Sequence, residues 1–207
     1  MNVSTPGSYF TRMYTDAPDP WDLAGRWYEQ RKYALTMAAL PRQRYRRAFE
    51  PGCSVGVLTR LLSERCDEVL ATDRVPQAVA GAAARNQDRP HVQVEQLVIP
   101  EQWPAGSFDL VVLSELLYYF DEPQLREILR RTAQCLEPGG TLVTVHWDHP
   151  VAEHRLTGSE LTPVLRATSG LVAGPSFRDP DFVLCTFTRP LPGGALPPSP
   201  AAAEGLG

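Results

Sequence analysis

The chain has 207 residues, 43% hydrophobic and 21% charged, with a formal net charge of −4, a composition that suits one globular domain with a sizeable core. The mildly acidic balance excludes a basic field that would recruit nucleic acid, and no apolar run is long enough for a membrane helix. The opening MNVSTPGSYFTRMY lacks the apolar stretch of a secretory signal, and Cys53, Cys66, Cys135 and Cys185 are too far apart for a disulfide scaffold or a zinc site, so reduced thiols, no metal and a cytoplasmic location are expected.

From residue 9 the chain is aromatic-rich and broken by prolines. It becomes helical in pattern from about Leu23 to Leu40, and Pro41 ends that helix. Residues 1–41 are expected to form a cap or lid over a core spanning 42–189. Within that core, short apolar runs predict strands at 46–52, 68–73, 91–97, 107–114 and 140–147, with helices at 56–65, 77–86 and 121–136 between them. Asp121 is the expected N-cap of the last of these helices, and Pro138-Gly139-Gly140 the turn that stops it. Such alternation implies crossover units and a mostly parallel sheet. The run 109-DLVVL-113 has the character of a central strand covered on both faces. A helix at 158–169 follows, and then 171–177 and 182–189 pair as a final antiparallel hairpin. From Pro190 to Gly207 the composition PLPGGALPPSPAAAEGLG cannot bury surface, which predicts a disordered tail.

In open sheets of this kind ligands lie beyond the carboxyl ends of the strands, so the loops after the first two strands carry the information. The first reads 50-EPGCSVG-56. A dinucleotide fingerprint requires G-x-G-x-x-G, but Ser54 holds its second glycine position and Val57 its third, which disfavours NAD. Asp73 ends the next strand, 17 residues past Gly56, where a carboxylate can accept both hydroxyls of a ribose. Glu50, two residues before Gly52, lies outside the dinucleotide pattern.

The segment E-P-G-C-S-V-G resembles motif I of the class I S-adenosylmethionine (SAM) dependent methyltransferases, (D/E)-x-G-x-G-x-G, with Ser54 replacing the middle glycine. Farther on, 106-GSFDLVVLSELLYYF-120 and 136-LEPGGTLVTV-145 resemble that family's later landmarks. The flanks, with Asp-Pro-Trp, Trp-Tyr-Glu and Arg-Lys-Tyr in 13–41 together with 114-SELLYYF-120 and 157-TGSELTPVL-165, are similar to the narrower nodulation protein S family of N-methyltransferases over about residues 9–188. This resemblance implies an α/β, Rossmann-like class I methyltransferase fold: a mostly parallel seven-stranded sheet with an antiparallel last strand and an N-terminal helical cap.

It also implies SAM as cofactor and S-adenosylhomocysteine as product. Glu50 would meet the ligand's ammonium, with Gly52, Cys53, Ser54 and Gly56 around its methionine portion and Asp73 on the ribose. Arg74 would lie against adenine, and Gln96 or Leu97 would meet the adenine amine. Trp21 is expected to touch cofactor or substrate, and Arg31 to pair with the SAM carboxylate. At the ends of the fourth and fifth strands stand Ser114, Glu115, Tyr118, Tyr119 and His146. Glu115 either takes a proton, pairs with an incoming ammonium, or is a solvated residue at a helix start. His146 is either a base or a satisfied core histidine, and Tyr118 either lines a wall for a sugar or belongs to the core. The implied acceptor is a small molecule or oligosaccharide, preferably an amino group on a sugar. A small-molecule O-methyltransferase and a SAM-binding subunit without turnover are the alternatives. Oligomeric state has no signature in the sequence.

Overall fold

The computed structural model describes residues 4–198. The apolar run expected at the centre forms β4 (Phe108–Ser114), buried from Phe108 to Leu113. Its side chains alternate between two layers, as strand geometry requires. Val111 and Leu113 pack on α5 (Glu122–Cys135) and α6 (Gly158–Arg166) through Ile128, Leu129, Leu161 and Leu165. Leu110 and Val112 face α2 (Trp27–Ala38) and α3 (Val57–Ser63) through Tyr33, Leu58 and Leu62, with Leu40 beyond α2 in the same layer.

Around β4 lie β1 (Tyr45–Pro51), β2 (Cys66–Asp73), β3 (Val92–Gln96), β5 (Leu136–Trp147), β6 (Val172–Arg178) and β7 (Phe182–Thr188). The sheet runs β3-β2-β1-β4-β5-β7-β6. The first five strands are parallel, and β7 is antiparallel to both neighbours. The chain builds outward from β1 through α3, β2, α4 (Pro76–Arg85) and β3, then returns to β4 on the other side of β1. Strand order therefore reverses between β1 and β4, and the crevice beyond their carboxyl ends is where such sheets bind ligands. The expected sheet is present, with the antiparallel strand where the resemblance placed it.

Several boundaries differ for identifiable reasons. A helix unmarked in the sequence, α1 (Gly7–Asp16), precedes the expected one; Tyr9, Phe10, Met13 and Tyr14 share its inner face, and of these only Tyr14 is fully buried. Helix α2 begins at Trp27, not near Leu23. The Asp19 carboxylate accepts the N–H groups of Leu23 and Ala24, each at 3.0 Å, and holds that stretch as a turn. Strand β5 starts at Leu136, and the Pro-Gly-Gly expected as a turn is a bulge within it, because Phe108 pairs with Leu136 but Leu110 with Thr141. The Asp121 cap is confirmed: its side chain accepts the Gln124 N–H at 3.0 Å. Helix α6 is closed by a capping box between Thr157 and Glu160. Of residues 1–41, α2 packs into the core through Tyr33, with Leu40 just beyond its end, and both α1 and α2 line the cavity at the strand ends. Residues 190–198 turn back through a Leu191 N–H bond to the Ala195 carbonyl, and 199–207 of the expected tail lie outside the described residues. All four cysteines are free and buried, and among the described residues no helix is long and apolar enough to cross a membrane.

Candidate active site

A cavity of about 680 Å³ opens beyond the ends of β1, β2 and β4, roofed by α1 and bounded on one side by α2. Small-molecule sites occupy about 300–1,000 Å³. Glu50, the penultimate residue of β1, is buried there, with the Thr59 hydroxyl donating to Oε2 at 2.6 Å. Burial, and more weakly the nearby Asp73, push its carboxyl up to about 8 despite that bond. Such a group lacks a cation.

The loop after β1 is pinned to β2, since Gly52 and Cys53 both donate N–H bonds to the Thr72 carbonyl at 2.7 and 2.9 Å. Gly52 has φ +75°, and a β-carbon on it would come within 2.9 Å of Leu116, across the cavity floor. Ser54 is itself left-handed at φ +50°, and its hydroxyl bonds to that of Tyr14 on α1. Cys53 lines the cavity as a buried thiol whose pKa burial raises well above the ordinary value. It is inert as a nucleophile. Gly56 departs from expectation: it does not line the cavity. A β-carbon there would lie 2.8 Å from Asn86 Nδ2 and 2.9 Å from Ala82 Cα, so this glycine serves the close approach of the loop to α4.

Asp73 ends β2 with its carboxylate inward, accepting the Ser54 N–H at 3.0 Å on one oxygen and the Val75 N–H at 2.9 Å on the other. Burial raises its pKa, and these backbone bonds oppose the rise. A carboxylate offers about four acceptor positions, so two remain for hydroxyls of a ligand. Leu97, and with it Ile99, lines the adjoining wall. Gln96 does not: its exposed amide donates to the Arg74 carbonyl at 3.1 Å, because strand alternation turns it outward. Arg74 lines the cavity with its guanidinium 5.7 Å from the Phe10 ring, bracing α1. Trp21 lines it too, edge-on to Tyr14 at 5.6 Å. Arg31 requires correction, for it points away from the cavity and bonds Asp179 at 2.6 Å.

At the far end Ser114 closes β4 and Glu115 follows it, both lining the cavity. Glu115 sits at φ +51°, and its carboxylate is fully engaged. Oε1 accepts from Lys32 Nζ at 2.6 Å; Oε2 accepts from the Tyr118 hydroxyl at 2.6 Å and the Trp147 N–H at 2.9 Å. Burial pushes this carboxyl up, but Lys32 and the other partners bring it below its ordinary value. Glu115 is therefore a fixed negative charge, not the base that one reading of the sequence gave it. Lys32 is buried between Glu115 and Glu29, 2.9 Å from Glu29 Oε2 and 4.9 Å from the Tyr28 ring centroid. His146 is excluded as a base. It is buried off the cavity, burial lowers its pKa to about 4, and its Nε2 accepts the Leu117 N–H at 3.1 Å. Tyr118 lines the site with its ring stacked at 3.7 Å on His154.

Lys32 and His154 were not assigned roles from sequence, whereas Tyr28 was expected among the aromatics of the lid and lines the cavity. For Lys32 a signal existed: Glu29, Lys32, Tyr33 and Thr36 are the buried residues of α2, and polar residues hold the i, i+3, i+7 register of an apolar stripe. No comparable mark singles out His154, which lies in the irregular stretch between β5 and α6.

Comparison with known proteins bears on the family and the fold. The family model described as nodulation protein S (NodS) matches residues 9–153. Nodulation protein S of Rhizobium tropici is 27% identical over 190 residues, covering 84% of this chain and 77% of the relative. Matches to two further rhizobial proteins of that name span 61% and 62% of their lengths. A solved structure described as a putative methyltransferase from Pseudomonas syringae is 42% identical, with a TM-score of 0.71 over 79% of this chain and all of that one. The N-methyltransferase NodS of Bradyrhizobium japonicum WM9, solved with S-adenosyl-L-homocysteine, is 25% identical, with a TM-score of 0.80 over 88% of this chain and 97% of its own.

Proposed function

The chain belongs to the nodulation protein S family and is a SAM-dependent methyltransferase, and from that premise we propose that it methylates an amino group on a sugar or oligosaccharide. The observation carrying the proposal is one cavity with two chemically distinct ends: Glu50 and Asp73 beside the β1 loop, and the buried Glu29–Lys32–Glu115 cluster with aromatic walls opposite.

The residues at the first end fit the cofactor. Glu50 is a buried carboxylate in want of a cation, suited to the ligand's ammonium. Asp73 keeps acceptor positions for ribose hydroxyls, the absent β-carbon of Gly52 leaves room for close approach, and Leu97 and Ile99 offer an apolar wall to the adenine. When bound, SAM supplies a methyl group on a sulfonium. The protein's task is then to position, an effect worth up to about 7–11 kcal/mol in model systems, and to keep water out with α1.

At the second end two carboxylates surround one ammonium, which leaves a net negative charge to attract a cationic acceptor. Tyr28, Tyr119 and Trp147 line that end with aromatic rings on which a sugar ring can stack. The amino acceptor is thus held by charge and stacking without a covalent partner.

Calorimetry with S-adenosylhomocysteine and a methyl-transfer assay test this. The protein should bind micromolar S-adenosylhomocysteine, lose that binding on Asp73→Ala, and methylate a chitooligosaccharide bearing one free amine. Transfer to phenolic or alcoholic hydroxyls alone would overturn the amine assignment.

A further inference from the structure

An amine in water is an ammonium, and its lone pair is free to attack only after a proton leaves. On the N-methylation reading above, something at the acceptor end must take that proton. We propose that His154 is that base.

The other titratable groups lining the cavity are committed. Glu115 holds Lys32, Tyr118 and the Trp147 N–H; Glu29 holds Lys32; Glu50 and Asp73 belong to the opposite end; and Glu101 accepts from Gln124 at 3.2 Å near the rim. Lys32 is an ammonium fixed between two carboxylates, and Arg26 and Arg74 hold their protons throughout. His154 differs. It lines the cavity, and neither ring nitrogen has a hydrogen-bond partner among the described residues; Nδ1 is sealed from solvent, and Nε2 is the accessible one. The ring is fixed without using either nitrogen, by its stack on Tyr118 at 3.7 Å and 17°, by the edge of Tyr119 at 5.0 Å, and by the backbone bond of its N–H to the Val151 carbonyl. Through the Tyr118 hydroxyl this stack is tied to Glu115, so one aromatic ring links His154 to the fixed charge that attracts the ammonium.

Several groups face the ring. Burial, the largest influence, favours neutral imidazole, while Glu115 and Glu153 favour the cation; the net effect is a pKa below the ordinary value. Tyr118, Tyr119 and Tyr9 carry hydroxyls whose pKa values are raised, and His146 is neutral, so none competes for the proton. His154 thus stands as a free base at neutral pH. In the step proposed, the acceptor N–H bond breaks, its electron pair stays on nitrogen as the attacking lone pair, and the proton bonds to Nε2. The imidazolium then returns that proton to water.

Two variants test the assignment. His154→Phe keeps the aromatic stack, and His154→Gln keeps a polar group, but neither is a base. Each should bind S-adenosylhomocysteine within about twofold of the native affinity and lower kcat for the amine-bearing chitooligosaccharide at pH 7 by about 10²–10⁴-fold. The deficit should shrink about tenfold per pH unit as pH approaches the acceptor's own pKa, because solution then supplies the free amine. An NMR titration of the His154 ring in the S-adenosylhomocysteine-bound protein should give the same pKa as the acid limb of the native kcat profile. A deficit equal at pH 6.5 and pH 9 would show that the ring only supports Tyr118 and would overturn the proposal, as would no deficit. A native protein that binds S-adenosylhomocysteine but methylates only hydroxyls would instead refute the amine reading itself.

Discussion

Lys32 is the residue whose loss should be felt most widely. Its Nζ lies 2.6 Å from Glu115 and 2.9 Å from Glu29, with the side chain 2% exposed. Lys32→Met fills the same space but strands two buried carboxylates. Breaking a buried pair from one side costs about 3–5 kcal/mol, and at 2–4 °C per kcal/mol for a chain of this size the melting temperature should fall by about 6–20 °C. In the native protein the Glu115 carboxyl lies below its ordinary value, so its contribution is present at neutral pH and lost as pH drops through the folded value. Burial already raises the Glu29 carboxyl in the native protein, and without Lys32 it lifts Glu115 above its unfolded value as well and Glu29 further. That cost is full at neutral pH and fades as pH falls toward the unfolded value of about 4.3. Urea unfolding of both proteins at pH 7 and pH 5 should therefore show a gap that narrows at the lower pH. Lys32→Met/Glu115→Gln should recover part of the loss. A deficit under about 1 kcal/mol, the size of a surface pair, or one indifferent to pH, would refute the buried-charge reasoning.

Glu50 should make cofactor binding proton-linked. With its carboxyl at about 8 in the free protein, binding a ligand ammonium at pH 7 must release close to one proton, measurable by calorimetry in two buffers of different ionisation enthalpy. Glu50→Gln should abolish that release and weaken binding of S-adenosylhomocysteine by about 1.5–3 kcal/mol, the worth of a charged hydrogen bond; proton release unchanged in the variant would remove Glu50 from the ligand. Gly56→Ala should lower stability by about 2–5 kcal/mol, from a left-handed backbone plus overpacking against Ala82 and Asn86, while the folded variant keeps its ligand affinity. A large loss of affinity at unchanged stability would return Gly56 to the binding loop.

Much of this was legible before the structure. The strands were visible because short apolar runs (Ala48-Phe49, Val69-Leu70-Ala71 and Leu110 to Leu113) lead into a polar residue near each strand end, and the reversal of strand order followed from the fold those landmarks resemble. The acids Glu50 and Asp73 were found because spacing along two adjacent parallel strands translates directly into position at one edge. The helices concealed more. One step along α2 is a rotation of about 100°, and this separates Lys32, sealed in the core, from Arg31, which reaches Asp179 at the surface. Neither type nor neighbours distinguish the two; only the facing surface does. Gln96 and Leu97 present the same ambiguity across a strand end. His154 was out of reach, since its stack on Tyr118 joins two irregular segments whose meeting depends on everything between them. Helix α1 escaped because its apolar face, Tyr9, Phe10, Met13 and Tyr14, spans fewer than two turns in an aromatic-rich stretch broken by prolines.

The bond between Ser54 and Tyr14 joins the loop to its roof. The serine that breaks the family's glycine pattern is therefore half of a clasp whose other half lies forty residues earlier. A relative with glycine at the loop position has no hydroxyl to fasten, and its tyrosine becomes dispensable. Across the family the two positions should change in step, and a glycine restored here alone would leave the roof unlatched while the floor stayed intact.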